Sequence, residues 1–255
     1  MIVETLVLHA SDFIEWEDAS GAQGGARRPV CVRAFRIQFD DAPADLELVH
    51  KNTGTALWRR VPAGLRQVID GEADAGALQP PDEPLYALSG ALLDPAGHYL
   101  PRRFALDAGR RTAHKLRLYR SPLGTRFGRA GGLVGRTALE DGSAVPWALL
   151  ALRVTPPLAP PFDFVAQSDA RGEFRLTLER LPALTKDAPA ASYPGLLEVR
   201  AAAAGTNPDT LPVARIRGNG SGDGAFKTQL AVDIAPGRIA TLASPGREAL
   251  VLRFP

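Results

Sequence analysis

The chain has a single cysteine, Cys31, among its 255 residues. It cannot close an internal disulfide, so its stability owes nothing to an oxidising compartment. Cys31 lies within VCVRAFRIQF and is expected as a small buried or half-buried side chain. Also missing is any run near the roughly 20 apolar residues of a membrane span, which argues against membrane insertion. The opening MIVETLVLHASDF has an early acid and a short apolar run, unlike a secretory leader. The expectation is therefore no signal peptide and cytoplasmic synthesis.

Net charge is almost absent. Thirty basic side chains face 28 acidic ones, for a formal charge of +2, so no general attraction to nucleic acid or anionic lipid is expected. Histidine is scarce as well. None of His9, His50, His98 and His114 has a second His or Cys at ligand spacing, and no metal site is expected. The glycine-rich GNGSGDG (218–224) has neither the spacing nor the following helix of a dinucleotide or phosphate loop. Asn219 stands where a nucleophile elbow needs its first glycine. A single glycine/aspartate calcium turn or a hairpin loop ordered by a partner are the remaining readings. Carboxylate pairs such as Glu15/Glu17 and Asp82/Glu83 sit in polar surroundings that would not split their pKa values for acid–base work. The chain is thus read as non-enzymatic, with no cofactor.

What is abundant is punctuation. Twenty-five glycines and 22 prolines are spread along the whole length, marking many turns and hence short elements. Between them, apolar residues recur at every second position. IVETLVLHA (2–10) reads as a first strand. VRAFRIQF puts Phe35, Ile37 and Phe39 on one face, and HKLRLYRS turns Leu116 and Leu118 inward with Lys115, Arg117 and Tyr119 flanking. FKTQLAVDI aligns Phe226, Leu230, Val232 and Ile234, and ALVLRF aligns Leu250, Leu252 and Phe254. A period of two in segments so far apart predicts antiparallel sheets with one wet face. Two segments are ambiguous: ADLELVHK (44–51) could make two helical turns, and LLEVRAAAA (196–204) reads as helix or strand, with strand favoured by its neighbours. The fold expected is all-β, two tandem antiparallel β-sandwich-like domains with long Gly/Pro-rich loops. Their boundary is placed at the glycine-rich SPLGTRFGRAGG, giving residues 1–120, a linker at 121–132, and 133–255.

Charge is segregated along the chain. Residues 67–101 hold Asp70, Glu72, Asp74, Asp82, Glu83 and Asp94 and no Lys or Arg, whereas residues 102–136 hold ten basic residues against Asp107 alone. Two solvated loop faces would explain this; so would complementary patches used in assembly. The arginine pair Arg102 and Arg103, the nearby Arg126 and Arg129, and Trp16 among acids are the candidate partner-binding residues.

The second half carries a resemblance. LVGRTALEDGSAVPWALLALRV followed by SDARGEFRLTL resembles the carboxypeptidase regulatory-like module, a transthyretin-like β-sandwich. Gly135, Asp141, Gly142 and Pro146 match the first half of its pattern; Ser168, Asp169, Gly172, Phe174 and Leu176 match the second. The Pro-rich TPPLAPPFD between them departs from it. SGALLDPAGHYLPRRFAL, earlier in the chain, repeats the flavour and resembles β-modules of phage-tail-like contractile injection particles. These resemblances imply a structural subunit of such a particle, at its baseplate or an accessory position. Its partners would be other protein subunits, with a homo-oligomer as one form. A surface adhesin or carbohydrate-binding module is the alternative.

Overall fold

The computed structural model describes residues 12–23, 28–59, 85–110, 112–157, 159–184, 191–203 and 207–255. The strand expected at 2–10 and most of the acidic stretch lie outside the described residues. The chain is nearly all β, and the one helical turn among the described residues is a 3₁₀ turn at Gly222–Ala225. No helix among the described residues is long and apolar enough to cross a membrane.

The strands begin with β1 (Asp12–Asp18), β2 (Gly21–Gln23), β3 (Arg28–Pro29), β4 (Arg36–Asp41), β5 (Leu46–Lys51) and β6 (Gly54–Arg59). Next come β7 (Tyr86–Leu93), β8 (Arg102–Ala108), β9 (Ala113–Leu118), β10 (Gly131–Ala138), β11 (Leu149–Val154), β12 (Phe162–Gln167) and β13 (Glu173–Thr177). The last are β14 (Tyr193–Arg200), β15 (Arg215–Arg217), β16 (Phe226–Lys227), β17 (Gln229–Ile234), β18 (Arg238–Thr241) and β19 (Leu250–Arg253). Both ambiguous segments are thus strands: 46–51 pairs with β6 as a hairpin, and 193–200 is central in its sheet. Pairing on neighbouring strands overrides weak helix propensity there.

The chain divides into two compact units, and neither is a single stretch of sequence. One comprises residues 1–17, 29–92 and 103–116; the other comprises 18–28, 93–102 and 117–255. Residues 121–132 belong to the second unit, where Ser121 and Thr125 are buried.

In the first unit β3, β1, β6 and β5 lie side by side with β9 also paired to β1, and β4, β7 and β8 form a second sheet. Alternation in β1 sends Ile14 and Trp16 inward. The Trp16 ring meets Phe104 of β8 edge-on at 5.9 Å, which joins the two sheets in an apolar core. Cys31 is exposed, contrary to expectation, because β4 begins only at Arg36 and a turn precedes it.

The second unit is a β-sandwich. One sheet runs β17-β14-β11-β12-β2, with Leu152 opposite both Phe164 and Leu197. The other runs β13-β10-β19-β15-β16, with β18 also on β10. Leu150, Leu152, Phe164 and Val199 from the first sheet pack on Leu133, Phe174, Leu176, Ile216 and Leu250 from the second in one continuous core. Each such side chain contributes about 1.5–3 kcal/mol by leaving water. β18 and β19 run parallel to β10, departing from the purely antiparallel expectation. A parallel pair needs a long crossover, and most strands of the sandwich, β11 to β17, lie between β10 and β18 in the chain. Tyr119, expected on a wet flank, is buried with Leu100 and Ala19, where Trp147, Leu149 and Val165 pack against them.

Candidate functional site

The Asp/Gly turns that carry the resemblances are built alike and serve architecture. In both Asp94–Gly97 and Asp169–Gly172 the glycine N–H donates to the aspartate carbonyl at 3.0 Å, with glycine φ of +70° and +78°. The Asp94 carboxylate accepts the N–H groups of Ala96, His98 and Tyr99; that of Asp169 accepts those of Arg171 and Glu173. An acid able to bond its own turn and a glycine free to take positive φ are what such a corner requires. Each turn then delivers an aromatic residue, Tyr99 or Phe174, two positions after its glycine. Asp141 closes a third turn, where the Ser143 hydroxyl, followed by its N–H, holds the carboxyl below the usual carboxylate range.

Trp16 is not a surface aromatic. It is fully buried, and its indole N–H donates to Thr55 Oγ1 at 3.0 Å. Period two places its neighbours Glu15 and Glu17 on the opposite side, where Lys115 stands between them at 3.5 and 3.7 Å. Arg102 is likewise spent internally. Only 2 % exposed, it donates through Nη1 to Asn207 Oδ1 at 2.8 Å and pairs with Asp209, while its Nε is buried without a partner. Arg103 is about half exposed and pairs with Asp40, itself open to solvent. Arg126 and Arg129 are exposed and form no ion pair among the described residues. Of the five residues expected to face a partner, these two retain a free guanidinium.

A second polar cluster lies around Asp18. Its carboxylate, 8 % exposed, accepts Arg120 Nη2 at 2.6 Å and the Tyr99 hydroxyl at 3.2 Å. Burial, with the Asp18 charge adding to it, pushes the Tyr99 phenol up to about 12. Burial alone would lower the Arg120 pKa, but Asp18 outweighs it and the net direction is up. A phenol whose folded pKa exceeds its unfolded value near 10 stabilises the fold fully below that pH. That contribution is lost as pH rises toward 12. We expect a spectrophotometric tyrosine titration to show a late phase in this range that Tyr99→Phe removes. Unchanged titration in the variant would place the late phenol elsewhere.

The GNGSGDG segment connects β15 to β16 as a hairpin. Asp223 pairs with Arg253, Glu140 bonds both Arg253 and Arg217, and the Arg253 guanidinium lies 4.1 Å from the Phe226 ring centroid. The hydrogen bond from Arg253, then its charge, holds the Asp223 carboxyl below its usual range. The cluster ties the loop to β19.

Among the described residues, no three His, Cys, Asp or Glu side chains approach closely enough to hold a metal ion. One surface cleft, of about 350 Å³, opens where the segments after β13 and β17 meet the start of β10. Leu181, Ala130 and Pro236 line it together with Arg129, Arg180 and Glu179. Sequence reading singled out Arg129 but missed Arg180; the only local signal was the LERLP corner after an alternating strand.

The second unit is therefore defined as a β-sandwich with a basic-rimmed cleft. Comparison of the chain with protein-family models, curated proteins and solved structures finds no match.

Proposed function

We propose that this chain is a non-catalytic subunit that builds a larger protein assembly through its sheet edges and loops. The observation that carries this reading is β18, an edge strand on the sandwich. All four of its residues are exposed, Ile239 at 59 %, and it pairs only with β10 among the described strands. Sheet edges left open in this way are templates for another chain unless guarded. The resemblance to the carboxypeptidase regulatory-like module, and the similarity of the Asp94 region to β-modules of contractile injection particles, suggest a baseplate or accessory position in such a particle. The exposed Arg126 and Arg129 suit the complementary-patch role.

The test is size-exclusion chromatography with light scattering, followed by purification from the native source. Assembly into defined oligomers, or co-purification with sheath or tube proteins, is the expected result. A persistent monomer that binds a glycan array would overturn it in favour of the carbohydrate-binding alternative.

A further inference from the structure

We infer that the cleft beside β18 captures an extended acidic segment of a partner protein, which adds to the sheet along the open edge of β18. This inference rests on the assembly reading and names the surface and the chemistry it selects. Three features of the second unit converge on one place. The first is the edge itself. Leu242 N–H donates to Val134 O at 2.8 Å and the Arg238 carbonyl crowds Gly131, which fixes the side that β18 turns toward β10. In a parallel ladder alternate residues direct both backbone groups to the same side, so Arg238 and Ala240 face β10 while Ile239 and Thr241 present theirs outward. A row of alternating peptide donors and acceptors matches another peptide strand and no other polymer.

The second feature is charge. Arg129 and Arg180 line the cleft, Arg238 opens the strand directly after it, and all three are exposed and without ion pairs among the described residues. Glu179 is the one acid in the lining. Such a surface complements carboxylates. Arg180 is also held at φ +69°, a left-handed conformation that a non-glycine residue adopts only under constraint, and this corner aims it at the rim.

The third is an apolar anchor. Register places Ile239 beside Gly132 on the sheet. Phe127 lies over Gly132, where a β-carbon would collide with its ring, and Arg175 stacks on Phe127 at 5.9 Å from the centroid. The incoming strand therefore meets Ile239 and the cleft floor at Leu181 with its apolar residues, and the arginines with its acids. Nucleic acid fits less well: among the described residues the rim lacks an exposed aromatic platform for bases, and the peptide edge would go unused.

The experiment is selection of a random twelve-residue display library on the full chain, then fluorescence anisotropy with the most enriched synthetic peptide. Enriched sequences should alternate acidic and apolar residues. Replacing their acids with lysine should weaken binding at least tenfold, as should the pair Arg129→Glu with Arg180→Glu. Thr241→Pro removes an outward N–H while sparing those turned toward β10, and Ile239→Glu leaves the backbone intact; both should abolish binding in protein whose circular dichroism is unchanged. Enrichment without acidic bias, no enrichment, binding that survives Ile239→Glu, or tighter binding of an oligothymidylate would each overturn the inference. If the variants still form the assemblies seen by light scattering, only this location fails and the assembly reading stands. If the wild-type chain forms none, the assembly reading itself fails.

Discussion

Gly172→Ala should cost more than about 3 kcal/mol of stability, while Gly97→Ala, in a turn closed by the same glycine-to-aspartate bond, should cost only about 1–2 kcal/mol. Both glycines have positive φ, so both substitutions incur the left-handed strain of an L-residue. Their surroundings differ. A β-carbon on Gly97 would meet nothing closer than Leu123 Cδ2 at 3.7 Å, an ordinary contact. On Gly172 it would run into the Thr137 carbonyl oxygen, with Thr137 Oγ1 and Val145 O close behind at 3.1 and 3.3 Å. Thr137 cannot give way easily. Its N–H and hydroxyl both bond the Gly172 carbonyl, at 2.8 and 3.1 Å, and the hydroxyl also reaches Val145 O. Urea unfolding of the two variants measures the difference. Equal losses would mean that the crowding at Gly172 relaxes at little cost.

The second large effect concerns Arg102, where the exposed partner should matter more than the buried one. Asp209→Ala leaves a guanidinium that is 2 % exposed with Asn207 as its remaining side-chain partner, and should cost about 3 kcal/mol. Arg102→Met removes the charge and keeps most of the stem's volume. Asp209, 45 % exposed in the pair, then rehydrates, so the loss should stay near or below about 1.5 kcal/mol. Urea midpoints for the two variants decide the order. The reverse order would show that the arginine is solvated in the folded chain and that the pair is an ordinary surface contact.

Much of this architecture is legible in single stretches of sequence. Alternation in Leu150–Val154, Phe174–Leu178 and Leu250–Leu252 marks core strands because a sandwich demands one apolar face from each. The Asp-x-x-Gly corners are legible because their hydrogen bonds are local. Acidic neighbours point Trp16 toward a partner, but the same period of two that places Ile14 inward also places Trp16 there. Arg102 could not be assigned from sequence, since Asn207 and Asp209 lie more than a hundred residues away and meet it only in the folded sheet arrangement. The cleft was hidden for the same reason. Arg129, Arg180 and Pro236 become neighbours only when β10 accepts β13 on one side and β18 on the other. Nothing in their local patterns signals this.

The parallel seating of β18 and β19 on β10 also governs how the molecule can come into being. A ribosome must deliver Leu250, more than a hundred residues after Thr137, before those two can pair. Until then β10 has an unfilled side in the nascent chain, ready to accept a wrong strand from a neighbouring copy. Closure of so long a loop is slow compared with forming the hairpins inside it, so docking of the last strands is expected as the final step of maturation.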